Sequence, residues 1–467
     1  MKTLAIKSEE IYSSMRLDGS FHLSNASIYE RKIKSNKHNT LLAFVDQVFT
    51  AGRNKRVYTQ RDFGYPYLSN SDVIAQNPFN NCKYNSKKHG FDKDALLEEN
   101  MILTGRVGAI GQTAYVTKEF VDKKAMGSDN IIRIKTKLPE LSGFIYAYLS
   151  SKIGNALMWK LATGGVQPYI TENMLVNIPV PIFPEDKQEV IHSLITEAAE
   201  LRVEANRLLE EAENTIMNNT NLLKLTTDDY EYFGPRSSNR KTACFVKSIK
   251  EIDSITINAF NHSERISNLI TKIKDSSKTK TLYEILDDNK LFSTGSFPRV
   301  ESEKGIMLIN QSDIFDTIIK GKTISKRKVR TDNLVEKGEV IIAGVGTLGE
   351  SETFCRVIYA NEDIEGQLIS GEFIRMKSQE IPSGYLYAWL NSDYGFRLIR
   401  STQTGTKLCR PIQNLLLKIP VPILKEDIMK SIHNLVVDGH TKRHLANCKE
   451  NQAIELVEKE IESWQQS

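Results

Sequence analysis

The sequence predicts a mixed α/β (α+β) fold with two globular domains, each followed by a long helix, and the two helices packed as an antiparallel coiled coil. Three observations predict it. The 467-residue chain repeats itself with a long period, each repeat closes on the same proline-containing tetrapeptide, and a heptad pattern of apolar residues follows each tetrapeptide. A chain of this length exceeds what one hydrophobic core serves, so more than one domain is expected.

The repeat aligns without gaps over its best-matched stretch. Residues 178–181 and residues 419–422 both read IPVP, an offset of 241 positions. The same offset pairs residues 142–151 (SGFIYAYLSS) with residues 383–392 (SGYLYAWLNS). A period this long indicates a duplicated domain, because solenoid repeats run only about 20 to 50 residues.

Each repeat contains short β-prone runs separated by clusters of Gly, Asn and Ser. Such clusters mark turns, and the runs between them predict strands. The clearest runs are residues 101–104, 114–116, 340–343 and 354–358. The body of each repeat is therefore predicted to be mixed α/β.

A long helix is predicted after each tetrapeptide, because proline fixes an extended entry and the following Glu-Asp pair suits a helix N-terminus. In the first helix, apolar residues recur at alternating spacings of four and three, which is a coiled-coil seam. These residues are Leu194, Ala198, Leu201, Ala205, Leu208 and Ala212. The second helix, predicted from about 426 to 464, has a weaker seam, with Lys442 and Lys449 where the first has Leu201 and Leu208.

Two helices of this kind can bury their seams against each other, whereas the alternative is that each lies on its own globular domain. The residues predicted at the helix–helix or partner interface are Leu194, Leu201, Leu208, Ile432, Leu435, Val457 and Ile461. The predicted division is a first domain at 1–182, its helix at 183–225, a polar linker at 226–243, a second domain at 244–423 and its helix at 424–467.

Composition excludes several classes of protein. Apolar residues make up 40%, charged residues 26%, and the mean hydropathy is −0.35, which is typical of a soluble globular protein. The N-terminal residues lack the apolar stretch of a secretory signal, and no run approaches a membrane span, so a cytoplasmic protein without membrane contact is predicted. The five scattered cysteines favour free thiols over zinc ligands or disulfides.

Motifs that could carry catalysis are weak. Residues 344–349 (GVGTLG) match G-x-G-x-x-G, but a strand-like segment follows where a nucleotide site needs a helix, so a hairpin turn is predicted. Residues 77–79 (NPF) fall one proline short of a DNA methyltransferase motif. Asp287 and Asp288, with Lys290, are the closest group to a magnesium-dependent nuclease site and are interpreted as solvated loop charge. The sequence thus predicts no catalytic residue, metal site or cofactor in this chain.

Basic residues cluster in both repeats, although the net charge is only +4. Lysine and arginine suit phosphate contact, and arginine and asparagine can pair with base edges. A solvated surface remains the alternative for any single cluster. The residues predicted to contact DNA are Arg53, Asn54, Lys55, Arg56, Arg61, Lys87 and Lys88 in the first repeat and Lys322, Lys326, Arg327, Lys328 and Arg330 in the second.

Taken in this order, the features resemble the specificity (S) subunit of a type I restriction-modification system. Residues 16–21 (RLDGSF) are similar to the family's Arg-Leu-Asp-Ala-aromatic opening, while the second repeat has Asn258 at the aspartate position. The resemblance implies two target recognition domains, each recognising one half of a bipartite double-stranded DNA site. The helices would then be a spacer between them, in a non-catalytic subunit that serves phage defence.

The resemblance also implies partners. DNA methyltransferase (M) subunits, two of them, would dock on the helices, and a restriction (R) subunit would join them. S-adenosylmethionine, ATP and Mg would belong to those subunits and not to this chain. Two alternatives stay open: a non-catalytic coiled-coil scaffold or partner-binding protein of a defence system, and a nuclease acting through Asp287 and Asp288.

Overall fold

The computed structural model describes residues 5–14, 17, 19–53, 55–164, 166–226, 245–252 and 255–464. The chain divides into two compact units. Unit 1 comprises Met1–Val203 and Leu445–Ser467, and unit 2 comprises Glu204–His444. Of the residues discussed above, Arg16, Asp18, Asn54, Cys244 and nearly all of the predicted linker lie outside the described part of the chain.

Most of the described helices are short, and two are long. They are α1 (Ser8–Ser14), α2 (Gly19–His22), α3 (Asn25–Lys34), α4 (Asn70–Val73), α5 (Lys118–Asp122), α6 (Ser142–Ser150), α7 (Lys152–Leu161), α8 (Glu172–Leu175), α9 (Glu185–Thr220), α10 (Glu264–Ser276), α11 (Leu282–Ile285), α12 (Ser383–Asn391), α13 (Asp393–Ser401), α14 (Gln413–Leu416) and α15 (Glu426–Ser463).

The strands are short in both units. They are β1 (His38–Thr40), β2 (Val45–Thr50), β3 (Tyr58–Thr59), β4 (Gly64–Leu68), β5 (Lys83–Ser86), β6 (Ile102–Gly105), β7 (Thr113–Tyr115), β8 (Met126–Gly127), β9 (Ile131–Thr136), β10 (Pro179–Pro181), β11 (Thr279–Thr281), β12 (Glu301–Ile309), β13 (Lys322–Ile324), β14 (Val340–Ala343), β15 (Val357–Tyr359), β16 (Leu368–Ile369), β17 (Phe373–Met376), β18 (Gln403–Thr404), β19 (Arg410–Pro411) and β20 (Pro420–Pro422).

Unit 1 contains two four-stranded sheets and a two-stranded one. The strand orders are β2-β9-β6-β7 and β3-β5-β4-β8, and β1 pairs with β10. Helices α6 and α7 pack with the first of these sheets into one apolar core, which also takes Ile191 and Ile195 of α9 and Val457 and Ile461 of α15. A second core around Leu68 joins the two sheets, since it also includes Leu103 of β6 and Ile131 of β9.

Unit 2 repeats this plan. Its strand orders are β15-β14-β17 and β13-β12-β16, β11 pairs with β20, and β18 pairs with β19. The core around α12 takes in Ala212 and Ile216 of α9 and Ile432 and Val436 of α15. Each unit is therefore completed by part of both long helices, and in unit 1 the part of α15 comes from the far end of the chain in sequence.

Residues that are 241 positions apart make the same hydrogen bond in the two units. The backbone N–H of Gly143 donates to Nδ1 of His192 (3.2 Å), and that of Gly384 donates to Nδ1 of His433 (3.0 Å). A Cβ on Gly143 would lie 2.8 Å from the His192 Cα atom, so only glycine fits where α6 meets α9. Burial lowers the pKa of both histidines, which keeps Nδ1 free to accept. The best-matched residues thus dock α6 and α12 on the long helices.

The two long helices run antiparallel within each unit. In unit 1, Lys187 pairs with Glu460 (2.6 Å) and Glu197 pairs with Lys449, so partner numbers fall along α15 as they rise along α9. In unit 2 the two helices lie close together at Gly439, where an added Cβ would lie 3.0 Å from Cγ of Leu209. A glycine at this point lets the two helix backbones come close together.

The seam of α9 has two rows of residues. One row is the predicted one, and the other is shifted by one residue along the chain. The deeply buried residues of α9 are Ile191, Ile195, Ala198, Ala205, Ala212 and Ile216. Positions 198, 205 and 212 were predicted, but the other row is 195, 202 and 209 rather than Leu194, Leu201 and Leu208. Leu194 packs beside the unit 1 core, Leu201 is half-buried and Leu208 is buried. In α15, Ile432, Val457 and Ile461 are fully buried and Leu435 is partly buried against the core.

Polar side chains explain this difference. Arg202 occupies the seam of α9, and its Nη2 lies 2.5 Å from Glu450 on α15 and donates to Oδ1 of Asn447 (3.0 Å). In unit 2, Nη2 of Arg443 donates to Oδ1 of Asn206 (3.0 Å). These two Arg–Asn pairs are related by the 241-residue offset. Because these charged and polar groups contact each other across the seam, the seam accepts residues that a purely apolar pattern would exclude.

Candidate nucleic-acid interface

A turn rich in basic residues follows β5 in unit 1. Oγ of Ser86 accepts the N–H groups of Lys88 (3.3 Å) and His89 (3.2 Å), and the N–H of Gly90 donates to the Ser86 carbonyl (3.0 Å). These bonds close the turn, and the side chains of Lys87, Lys88 and His89 remain exposed. We call residues 86–89 the first basic turn.

Unit 2 has a corresponding turn after β13. Oγ of Ser325 accepts the N–H of Arg327 (3.3 Å), and the N–H of Val329 donates to the Lys326 carbonyl (3.1 Å). Lys328 has a φ of +67°, in the left-handed region that a tight turn requires. The side chains of Lys326, Arg327 and Lys328 are exposed. We call residues 325–328 the second basic turn.

The two basic turns occupy equivalent places in the two units. Each follows a strand that pairs antiparallel with a longer one, β5 with β4 and β13 with β12. That longer strand pairs in parallel with β8 in unit 1 and with β16 in unit 2. The duplication therefore presents a cluster of cations at the same position of both units.

A buried arginine supports the segment after each basic turn. Nη2 of Arg133 donates to the carbonyls of Ala95 (3.3 Å) and Gly127 (2.6 Å), and burial lowers its pKa to about 10. In unit 2, Nη1 of Arg375 donates to the Asp332 carbonyl (3.0 Å), while its guanidinium pairs with buried Glu339 (2.7 Å). These arginines tie the chain beyond each turn to strands β9 and β17.

Unit 1 also carries three tyrosines on one face of the sheet that leads to the first basic turn. Tyr65 and Tyr67 alternate along β4, and Tyr58 on β3 is brought to the same face by the strand register. Nζ of Lys83 lies 5.0 Å from the ring centre of Tyr58, and Nζ of Lys87 lies 5.3 Å from that of Tyr65. We call Tyr58, Tyr65 and Tyr67 the tyrosine face; its rings hold cations within cation–π distance.

The other predicted contacts of unit 1 lie near this face. Arg56 lies over the Tyr67 ring (5.8 Å) and pairs with Asp129, which is also 4.0 Å from Arg53. The Arg53 side chain is 94% exposed, and Lys55 and Arg61 are exposed as well. The Asp129 carboxylate therefore neutralises part of the positive charge of Arg53 and Arg56.

In unit 2, the predicted residues outside the turn make contacts within the protein. Lys322 pairs with Glu301 across β12 and β13, and the backbone N–H of Arg330 donates to Oδ1 of Asn333 (3.0 Å). The interface prediction omitted Tyr67 and Lys83, which face each other across β4 and β5. The alternation of residues 64–68 (GYPYL), which puts two tyrosines on one face, is the signal that could have identified Tyr67.

The residues considered for catalysis have ordinary structural roles. Asp288 pairs with Lys290 (2.8 Å), and Oδ1 of Asp287 accepts the N–H of Gln379 (2.9 Å). Over the ranges that the structure describes, no three His, Cys, Asp or Glu side chains are grouped to hold a metal ion. No described helix combines the length and apolarity needed to cross a membrane.

Comparison with known families assigns the first repeat. Residues 44–214 match the family model described as "Type I restriction modification DNA specificity domain". This stretch is a type I DNA specificity domain. It includes the tyrosine face, the first basic turn and most of α9. Over residues 44–214, the match agrees with the resemblance to a type I specificity subunit that was drawn above from the sequence.

Solved structures of type I subunits are similar to this chain over nearly its whole length. The S subunit of a type I restriction-modification system from M. genitalium is 15% identical, with 91% of this chain and 94% of that chain covered and a TM-score of 0.32. The HsdS subunit from Thermoanaerobacter tengcongensis is 13% identical, with 92% and 97% covered and a TM-score of 0.27. A search of curated proteins finds no match to the sequence.

Proposed function

We propose that this specificity subunit recognises a bipartite double-stranded DNA site, with one half recognised by each unit. The observation that carries the proposal is the pair of basic turns at equivalent positions of the two units. A duplicated protein that contacted DNA through one unit alone would not need the same cluster of exposed cations in both. In the proposed complex, each basic turn contacts the phosphates of one half-site.

Base recognition needs groups other than the phosphate contacts. In unit 1, Arg56 lies over the ring of Tyr67 and Arg61 is exposed. In unit 2, Arg327 and Arg330 lie in or after the second basic turn. Arginine donates two parallel hydrogen bonds to guanine in the major groove, whereas lysine on a phosphate adds affinity without sequence information. We assign base contact to these arginines and phosphate contact to Lys87, Lys88, Lys326 and Lys328.

The long helices are proposed to be the spacer between the half-sites. The antiparallel contacts inside each unit support a coiled coil that continues along both helices. Such a coiled coil would fix the distance between the two recognition surfaces and thus the number of base pairs between the two half-sites.

The proposed role requires partner subunits. Methyltransferase subunits, two of them, would dock on the helices and adjoining surfaces, and a restriction subunit would join the complex, which would act in the cytoplasm. S-adenosylmethionine, ATP and Mg would be bound by those subunits. This chain would supply only the choice of DNA sequence.

Salt-dependent DNA binding tests the proposal. Two double variants each remove two cations that are assigned to phosphate contact, Lys87→Gln with Lys88→Gln and Lys326→Gln with Lys328→Gln. Each is expected to lower the slope of log affinity against log salt by about 2, because each lost phosphate contact removes about one released counterion. Fluorescence anisotropy with a labelled duplex of mixed sequence measures the slope.

The matched control is Lys337→Gln with Lys459→Gln, which removes two exposed cations that pair with Glu362 and Glu455. It should keep the wild-type slope. A coiled-coil scaffold with incidental basic loops would bind the duplex weakly, and both turn variants would then behave like the control. That result would reject the proposal.

A further inference from the structure

Unit 2 contains three arginines gathered around one aromatic ring. The guanidinium carbons of Arg356, Arg400 and Arg397 lie 3.8, 4.7 and 5.2 Å from the ring centre of Phe396. Arg356 ends the irregular segment that joins β14 to β15, and the other two belong to α13. We call Arg356, Arg397 and Arg400 the arginine cluster.

The carboxylate of Glu350 contacts this cluster. Oε1 of Glu350 accepts from Nη1 of Arg397 (2.6 Å) and lies 3.4 Å from Nη1 of Arg400. The exposed Asp393 acts on Arg356 through space, and exposed Glu352 lies beside Gly349. A single carboxylate oxygen therefore serves two guanidinium groups, and a third positive charge stands next to them.

The cluster has unused hydrogen-bonding capacity. Nε of Arg356 and Nε of Arg400 are buried and have no hydrogen-bond partner among the described residues. Burial lowers the pKa of Arg356 to about 10, and the neighbouring charge of Arg400 contributes to this shift. Buried cations of one sign destabilise one another unless an anion is added.

The fold does not require these arginines, because unit 1 builds the same corner without them. At the 241-residue offset, Arg397 and Arg400 correspond to Ala156 and Trp159. The connection from β6 to β7 has seven residues, whereas that from β14 to β15 has thirteen, and the extra length carries Glu350 to the cluster. The insertion and the arginines are thus a property of unit 2 alone.

The cluster is open at its outer edge. The Glu350 side chain is 30% exposed and Arg356 is half-buried. The exposed loop between β18 and β19 carries Lys407 and is fastened to this corner, because Gly346 and Cys409 exchange backbone hydrogen bonds of 2.7 and 3.2 Å. In unit 1 the position matching Lys407 is Val166. The loop that carries Lys407 is therefore anchored to the same connection that carries Glu350 and Arg356.

We propose that the arginine cluster binds a phosphate oxyanion, supplied by a phosphodiester of the DNA strand on unit 2, and that the Glu350 carboxylate occupies its place in the free protein. The assignment to DNA rests on the proposed function above. A tetrahedral oxyanion offers several acceptor oxygens, and arginine binds phosphate through paired donors. Glu350, at the open edge, can turn to solvent when a phosphate enters. Unit 2 would then hold the DNA backbone at a point where unit 1 does not.

Thermal unfolding of the full-length Glu350→Gln variant tests the oxyanion site without DNA. Removal of the carboxylate leaves the arginines uncompensated, so the variant should melt below the wild type in chloride buffer. Inorganic phosphate should raise its melting temperature by more than it raises that of the wild type. Since phosphate stabilises most proteins, Lys337→Gln provides the baseline. An equal phosphate effect in all three proteins would overturn the site.

DNA binding then identifies the source of the phosphate. Arg356→Gln should lower the salt slope of duplex binding by about 1, while Arg356→Lys, which keeps the charge, and Lys337→Gln should retain it. An unchanged slope in Arg356→Gln would overturn the assignment to DNA, and a phosphate effect in Glu350→Gln would then point to a free oxyanion. Failure of the wild type to bind DNA would refute the proposed function instead, since the melting experiment does not depend on it.

Discussion

At the scale of single residues, the contact between Arg202 and Glu450 constrains how the two long helices pack in unit 1. The Glu450 side chain is 1% exposed, and it accepts the hydroxyl of Tyr146 (2.7 Å) in addition to its pairing with Arg202. This group links α6, α9 and α15 inside unit 1. A buried ion pair adds little net stability, but a buried charge without its partner is costly, so the pair constrains which residues of the two helices face each other.

Removal of one partner should therefore cost much more than removal of both. Arg202→Met is expected to lower the free energy of unfolding by about 3 to 5 kcal/mol, because it leaves Glu450 buried and unpaired. The double variant Arg202→Met with Glu450→Met should recover most of that loss. Urea denaturation of the three proteins measures this. Equal losses in the single and double variants would show that the pair does not act as a unit.

His440 makes stability depend on pH. It is buried between the rings of Tyr359 and Tyr387, and burial, aided by the charge of Arg443, lowers its pKa well below the usual value. The folded state thus disfavours the proton that the unfolded chain takes up near pH 6.5. Stability should be full above that pH and should fall as the pH decreases, by up to about 1.4 kcal/mol per pH unit from this residue.

His440→Phe keeps an aromatic ring in the site and removes the titrating group. Between pH 6.5 and pH 5, the free energy of unfolding of the variant should fall by about 2 kcal/mol less than that of the wild type. Denaturation at a series of pH values gives both curves, and the exposed His89→Gln serves as the control. A His440→Phe curve as steep as that of the wild type would exclude His440 as a source of the pH dependence.

At the scale of elements, the repeat and the long helices could be predicted because their signals are local. The second helix was predicted from about 426 to 464, and the structure has Glu426–Ser463. One row of the α9 seam could not be predicted, because leucines at 194, 201 and 208 gave a stronger pattern than a row containing Arg202. That row is explained only by Glu450, which lies on a segment far away in sequence.

The arginine cluster and the tyrosine face were missed for related reasons. Arg356 lies within residues 354–358, which were predicted to be a strand, but β15 begins only at Val357. The residues before it form an irregular connection, and this brings Arg356 to α13. Tyr58 joins Tyr65 and Tyr67 through strand pairing that the sequence alone does not specify. Contacts between distant segments decide both sites.

If the helices are the spacer, as proposed, their length determines the length of the DNA site. Deletion of residues 205–211 together with residues 437–443 removes one heptad from each helix and removes Asn206 with its partner Arg443. The spacer should shorten by about 10 Å, which is about three base pairs of DNA. The methylated motif of the complex measures the result: the two halves should remain and the gap should shrink.

A deletion of residues 205–211 alone provides the comparison. It leaves α15 one heptad longer than α9, so the antiparallel contacts within the units cannot all form and the complex should lose activity. A motif whose gap stays the same after the paired deletion would show that the helices do not set the spacing.

At the scale of the whole molecule, the central proposal is that the chain determines which DNA sequence is bound and that each repeat recognises one half of it. The equivalent basic turns, the specificity-family match over residues 44–214 and the duplicated architecture support this claim together. The arginine cluster adds a difference between the units, because only unit 2 carries it. The two halves of the site should therefore depend unequally on backbone contacts.

The most direct test is a map of methylated bases in cells that express this chain with its cognate methyltransferase. The account predicts one motif with two defined halves separated by a fixed number of unspecified base pairs. Replacement of residues 1–182 by those of another specificity subunit should change one half and leave the other. An uninterrupted motif, or a replacement that changes both halves or neither, would contradict the claim that each repeat recognises its own half-site.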